Sequence, residues 1–134
     1  MVLRVIMALA LALHAGMHLS FFMPSWFFEV RGTMPFDLTH SDVLSSVGLD
    51  PGSWQVLGTI LVTITIAGLL LGAASLLGFV PSRVGLPGLA IGAAASIVSV
   101  FLFFHTWLVV GVMVDLAILA GVAVARWLPK AIDT

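Results

Sequence analysis

Apolar residues fill four long stretches of the sequence, separated by short polar or proline-containing segments. The first stretch ends at Pro24 and the second at Pro81, since proline has no backbone N–H for a helix interior. A helix needs about 20 apolar residues to cross a bilayer. The pattern predicts transmembrane helices at about 3–23, 54–80, 86–104 and 107–128, with Ser82–Pro87 as a tight turn.

The boundary between the third and fourth helices lies inside one apolar block, residues 86–128. This block is too long for a single span of about 20 residues. Polar and interfacial residues cluster only at Phe104–Trp107, which predicts the break there. A short connection favours adjacent antiparallel helices. We therefore expect an all-α fold: an integral membrane four-helix bundle that forms a single domain over residues 1–134.

Composition agrees with a membrane protein. The chain is 61% hydrophobic and 8% charged, with a mean hydropathy of +1.24, whereas soluble domains carry about 25% charged residues. A net charge of −1 without a basic stripe gives no electrostatic basis for nucleic-acid binding. The absence of cysteine excludes disulfides and thiolate ligands. The lipid bilayer is thus the first predicted partner, with other membrane subunits or a second copy as further candidates.

Basic residues indicate the orientation of the bundle. With four crossings, one side of the membrane holds Arg4, Arg83, Arg126 and Lys130, and the other holds Arg31. The positive-inside rule then predicts that both termini are cytoplasmic and that residues 25–53 form an outer loop. Trp26, Trp54 and Trp107 would form an outer aromatic belt, which agrees with this orientation.

The outer loop is long for a connector and carries its own structural signals. Thr39–Asp42 followed by Val43, Leu44 and Val47 is typical of a short capped helix. We expect a structured extracytoplasmic loop between the first and second helices. The pattern fits both a lid over the outer mouth of the bundle and an amphipathic anchor in the interface.

Small residues predict how the helices associate. Close packing and polar contacts drive association in lipid, where burial of apolar surface gives no advantage. Small residues spaced four apart mark the predicted contact faces, and the glycines among them are Gly68, Gly72, Gly88, Gly92 and Gly121.

A few ionisable residues interrupt the apolar helices. His14 and His18 are four residues apart and so share one helix face. At 1.5 Å per residue they lie about 15 Å and 9 Å below Pro24, and Asp115 lies roughly 12 Å below Trp107. A carboxylate at such a depth is costly unless it has a partner. His105 at the predicted turn and His40 in the loop project to the same outer half of the bundle.

Three interpretations of these residues compete. Asp115 could pair with His14 or His18 only to hold the first and fourth helices together. His14, His18 and Asp115, joined by His105 or His40, could bind a metal such as Zn or Cu or handle protons, since an i, i+4 histidine pair is good ligand geometry. One of His14 and His18 could instead bind haem opposite His105.

Two segments resemble a group of uncharacterised small four-helix bacterial membrane proteins and, more distantly, the DoxX-like family. They are Leu13–His18 and Phe103–Gly111, followed by Asp115. That group has a proline after the third-helix histidine, where this chain has Thr106. The resemblance implies the four-helix architecture, a bacterial inner (cytoplasmic) membrane and an association with quinone-linked redox or membrane complexes. It transfers no activity to particular residues.

The function expected from the sequence is that of a non-catalytic accessory or partner-binding component of a membrane complex. The sequence has no P-loop, HExxH or GxGxxG motif and no arrangement typical of a nucleophilic enzyme. The alternative is a metal-, haem- or proton-handling, redox-associated membrane protein that uses the His/Asp cluster.

Overall fold

The structure, a computed structural model, describes residues 1–22, 37–104 and 108–127, with the backbone alone for residues 125–127. Its described residues form helices and connecting turns without β-strands, which confirms the predicted all-α class. The elements are α1 (Val2–His18), continued by a 3₁₀ turn (Leu19–Phe22), then α2 (Asp42–Ser46), α3 (Pro51–Leu76), α4 (Ser82–Leu102) and α5 (Val109–Trp127).

The long helices are those of a membrane protein. Val2–Phe22, Pro51–Leu76 and Ser82–Leu102 are long and apolar enough to cross a bilayer, and α5 contains the shorter apolar stretch Val109–Val124. Large apolar side chains such as Leu13 and Phe101 are 73% and 67% exposed. Soluble monomers rarely expose continuous apolar surfaces. The outer faces of these helices therefore suit contact with lipid.

Helix α3 has clear signals at both ends. Asp50 caps it by accepting a hydrogen bond from the Ser53 amide, and Pro51 occupies the first turn, where its missing N–H costs nothing. At the other end Gly78 has a φ of 85°, in the left-handed region. The amides of Gly78 and Phe79 bond the carbonyls of Ser75 and Ala74, which is the Schellman arrangement. Helix α3 therefore begins at Pro51 and ends at Leu76, earlier at both ends than the predicted 54–80.

The predicted turn at Ser82–Pro87 is wrong, because these residues form the first turns of α4. The chain reverses instead between Leu76 and Ser82. Pro87 is tolerated within α4 because it lies near the N-terminal end and removes only the bond to the Arg83 carbonyl. The C-terminal end of α4, at Leu102, and the start of α5, at Val109, flank the predicted break. His105, Thr106 and Trp107 lie outside the described residues.

Helices α3 and α4 are in close contact through their glycines. A Cβ built on Gly68 would lie 2.6 Å from the Gly92 Cα and 2.8 Å from the Gly92 nitrogen. One on Gly72 would lie 2.7 Å from Leu89 Cδ1, and one on Gly88 would lie 3.1 Å from Leu71 Cδ1. The backbones therefore approach closely only because these positions have no side chain.

Gly121 is different from the other four predicted packing glycines. It is exposed, and a Cβ there would meet no atom within 4 Å among the described residues. The structure therefore does not place Gly121 in a helix contact. The spacing of small residues on α5 suggested one because glycine is common in membrane helices whether or not it lies at a contact.

Helix α2 folds back onto the end of the bundle. Ser41 caps it by accepting a hydrogen bond from the Leu44 amide at 3.1 Å, as the sequence predicted. The same hydroxyl donates to the Leu102 carbonyl, one of the last-turn carbonyls that α4 itself leaves unpaired. Leu38 and Leu44 are buried beside Phe103 in one apolar cluster. The loop section 37–50 is thus structured against α4, and residues 25–36 of the predicted loop lie outside the described residues.

The long helices follow one another around the bundle. Helix α1 packs on α3, α3 on α4, and α4 on α5. Between α1 and α5 the structure gives no comparable backbone contact among the described residues. Side chains bridge these two helices instead, and they belong to the ionisable residues that the sequence analysis singled out.

Candidate functional site

The site begins on α1 with two histidines one turn apart. His14 and His18 share a helix face because four residues advance the helix by slightly more than one turn. Their ring centroids are 5.2 Å apart in an edge-to-face arrangement. The His14 side chain is 13% exposed, whereas His18 is 6% exposed. His18 also stacks on Phe21, which the 3₁₀ turn places beside it.

Asp115 on α5 completes the link to α1. Its side chain is fully buried, and its Oδ1 lies 2.9 Å from Nε2 of His14. An ionised carboxylate inside a membrane bundle requires donors, because no bulk water solvates it there. His14 supplies one such donor. The prediction that Asp115 meets a histidine of the first helix at matching depth agrees with this contact.

Ser96 on α4 supplies the second donor to Asp115. Its side chain is fully buried, and its hydroxyl donates to Oδ2 of Asp115. The hydroxyl oxygen of Ser96 also lies 3.1 Å from Nε2 of His18. Ser96 therefore connects the second histidine to the carboxylate, and the four side chains join α1, α4 and α5 in one buried network.

Proton counting assigns the tautomer of His18. A serine hydroxyl carries one proton, and Ser96 uses it toward Asp115. In the bond between Ser96 and His18, the hydroxyl must then accept from Nε2–H of His18. A neutral His18 consequently has a lone pair on Nδ1. That atom is buried and has no hydrogen-bond partner among the described residues, which is an uncommon state for a buried polar atom.

The network brings together groups that can hold a metal ion. One ligand atom from each of His14, His18 and Asp115 lies within 4.8 Å of the other two. Two imidazoles and one carboxylate form a known ligand set for catalytic zinc and for non-haem iron. The donor set therefore fits a divalent transition-metal ion.

The other two predicted histidines do not join this cluster in the described structure. His40 is 74% exposed in its side chain and lies 3.2 Å from Asp42 Oδ1. The prediction that His40 could join the metal ligands is therefore wrong, because the loop turns it to the surface just before α2. His105 lies outside the described residues, so the structure does not test the predicted haem pair.

Two cavities border the cluster. The small cavity, of about 190 Å³, is lined by His14, His18, Phe21, Val100, Leu108 and Gly111, with further residues of α1 and α5. The large cleft, of about 420 Å³, is lined mainly by apolar residues, including Met7, Leu11, Leu89, Ile118 and Val122, with His14 at its wall. His14 therefore borders both spaces, whereas His18 lines the small cavity.

Ser96 is a site residue that the sequence does not single out. Hydroxyls in membrane helices often bond a carbonyl of their own helix, as Ser99 does to Ala95 at 2.8 Å. The depth of Ser96 along its helix is the signal in the sequence that could have identified it. Ser96 lies about 9 Å from the end of α4 at Leu102, close to the depth estimated for His18.

No protein-family model matches this chain, and neither the curated proteins nor the solved structures contain a match. The resemblance to DoxX-like proteins therefore stays a prediction.

Proposed function

We propose that this chain is a small multi-pass membrane protein that binds a divalent transition-metal ion within the bilayer through His14, His18 and Asp115. The observation that carries the proposal is the convergence of their ligand atoms to within 4.8 Å of one another, on helices that are far apart in sequence. A purely structural pair would need only Asp115 and one histidine. The second imidazole, with its unpartnered Nδ1, supports a ligand at the cluster.

Charge favours a cation at this position. Asp115 is fully buried, and the structure gives it two hydrogen-bond donors, His14 and Ser96, but no Lys or Arg partner among the described residues. A bound divalent ion would compensate the carboxylate and use the imidazole lone pairs. Imidazole suits Zn, Cu, Fe and Ni, so Zn²⁺ and Cu²⁺ are the first candidates.

Ser96 would act as the residue that orients a ligand. Metal-bound histidines usually donate their other ring N–H to a neighbouring group, which fixes the tautomer. Ser96 accepts such a bond from His18 Nε2 and donates to the Asp115 carboxylate. Haem is the weaker candidate, because the second ligand predicted for it, His105, lies outside the described residues.

Calorimetric titration of the purified, metal-free protein in mild detergent tests this function. We expect saturable Zn²⁺ binding that weakens as the pH is lowered, since metal binding requires deprotonated ligands. His18→Ala should abolish or strongly weaken it. His40→Ala is the matched control, because that exposed histidine lies outside the cluster. Equal Zn²⁺ binding by both variants would overturn the proposal.

We further propose that the chain crosses a bacterial cytoplasmic membrane four times with both termini inside. The support is the distribution of Lys and Arg in the sequence. The chain has no cysteine, so single introduced thiols can report on orientation. Ser46→Cys should react with a membrane-impermeant maleimide in intact cells, and Ser82→Cys only after permeabilisation. Both residues are exposed, and the reverse pattern would contradict this topology.

An accessory role in a membrane complex is the second candidate function. The large cleft favours this role, because the apolar face of another helix can pack into its space of about 420 Å³ between α1 and α5. A second copy of the chain is the simplest partner to test. Sedimentation in detergent should show a dimer that Ala117→Leu dissociates, since Ala117 is exposed and lines the cleft. A monomer in both cases would remove self-association from consideration.

A further inference from the structure

We infer that the metal site keeps an open coordination position toward the small cavity, and that this position takes a membrane-soluble molecule with one nitrogen or oxygen donor on a compact apolar body. The inference rests on the proposed metal-binding function. It adds an exogenous ligand of defined chemistry to that function.

The number of ligands supports an open position. Among the described residues, the cluster of metal-binding side chains contains three members, His14, His18 and Asp115. The Ser96 hydroxyl already donates to Asp115 and contacts His18 Nε2. Structural zinc sites have four protein ligands, whereas sites with three protein ligands leave the fourth position to water or substrate.

The small cavity has a suitable size and location for a fourth ligand. Both histidines of the cluster line it. Its volume is about 190 Å³, and an apolar cavity of roughly 150 Å³ holds one benzene molecule. The remaining walls include Phe21, Val100 and Leu108, so an apolar ring can fill the space while a donor atom reaches the metal.

The route into the small cavity selects for lipid-soluble molecules. Met17 on α1 and Val110 on α5 line the cavity and are 57% and 71% exposed. The cavity therefore opens between these two helices, on the apolar surface that suits lipid. A molecule entering there must leave water first, which disfavours charged or strongly polar ligands.

Gly111 offers a way to fill the cavity without disrupting the helix contacts. It lines the small cavity, and a Cβ at this position would lie 3.9 Å from Cε1 of His14, an ordinary van der Waals distance. Gly121 on the same helix is the matched control. A Cβ there meets no atom within 4 Å among the described residues, and the residue lines the large cleft instead.

The experiment uses the full chain in detergent, loaded with Co²⁺, whose visible absorption reports its coordination, and pyridine as the probe ligand. Co²⁺ content is measured first for wild type, Gly111→Val and Gly121→Val. Pyridine should then produce a saturable spectral change in wild type and Gly121→Val. In Gly111→Val, crowding of the cavity should weaken pyridine binding about tenfold or more at unchanged Co²⁺ content.

Each result separates the two proposals. Failure of wild type to bind Co²⁺ overturns the metal site and this inference together. Bound Co²⁺ with no saturable response to pyridine overturns the open position and leaves the metal site standing. Equal pyridine affinity in Gly111→Val and Gly121→Val places the ligand outside the small cavity and likewise overturns the inference.

Discussion

Nε2 of His14 lies 2.9 Å from Oδ1 of Asp115, and this contact bridges two helices whose backbones do not otherwise pack closely. The two residues are 101 positions apart in the sequence. Their contact, together with Ser96 and His18, closes the bundle between its first and last long helices. A single buried network thus combines a structural role with the ligand set proposed above.

The His14–Asp115 contact should be measurable as a coupling energy. In a double-mutant cycle with His14→Ala and Asp115→Asn, we expect a coupling of about 0.6 kcal/mol and at most about 1.7 kcal/mol, the mean and the maximum found for polar contacts between membrane helices. Reversible unfolding of the metal-free protein in detergent provides the free energies. An analogous cycle on the exposed pair His40–Asp42 should give no measurable coupling. Strictly additive effects of His14→Ala and Asp115→Asn would show that their contact stabilises nothing.

Ser96→Ala should weaken metal binding about 10- to 100-fold, because residues that orient metal ligands contribute that much to affinity. Ser99→Ala is the matched control. Ser99 lies on the same helix, is equally buried and, among the described residues, bonds only the Ala95 carbonyl. Zn²⁺ titrations of both variants make the comparison. Equal affinities would mean that Ser96 does not orient the ligands.

Gly68→Ala should destabilise the bundle by about 1–3 kcal/mol, the usual cost of overpacking a close contact. The added Cβ would meet backbone atoms of Gly92, at 2.6 Å and 2.8 Å, and backbone cannot move aside as a flexible side chain can. Gly121→Ala has open space around it and should be neutral or slightly stabilising. Thermal unfolding in detergent distinguishes the two, and similar stabilities would argue against the close α3–α4 contact.

The N-terminal cap of α3 should be pH-dependent. The Ser53 hydroxyl and amide bond the Asp50 carboxylate and hold its pKa below the ordinary value of 3.8. Because the folded pKa is lowered, the cap contributes its stability above the ordinary pKa and loses it as the pH falls through the folded pKa. Hydrogen exchange at the Ser53 amide, compared at each pH with Asp50→Asn, measures this loss. Identical pH profiles for the two proteins would contradict it.

Most of the helical architecture could be predicted from hydrophobic runs, but not every boundary. The hydrophobic pattern predicts Pro51 in the outer loop, although a proline directly after a capping aspartate is typical of a first helical turn. The same pattern predicts Pro87 in a turn, although a proline near a helix start removes only one hydrogen bond. In both cases proline is compatible with two structures, and the neighbouring helix contacts decide between them.

The candidate site could be predicted in part. His14, His18 and Asp115 stand out because ionisable residues are rare inside apolar runs. Ser96 does not, since its hydroxyl could equally have bonded its own helix, as Thr65 does to the Leu61 carbonyl. The side of α4 that faces the site depends on the rotation of that helix, which its contact with Gly68 helps to fix.

The most direct test of the metal site is the metal content of the protein as isolated. Wild type, Asp115→Asn and His40→Ala are purified in mild detergent without added metal or chelator and measured by plasma mass spectrometry. We predict about one divalent transition-metal ion per chain in wild type and His40→Ala, and little or none in Asp115→Asn. Metal-free wild type, or equal metal content in wild type and Asp115→Asn, would contradict the account.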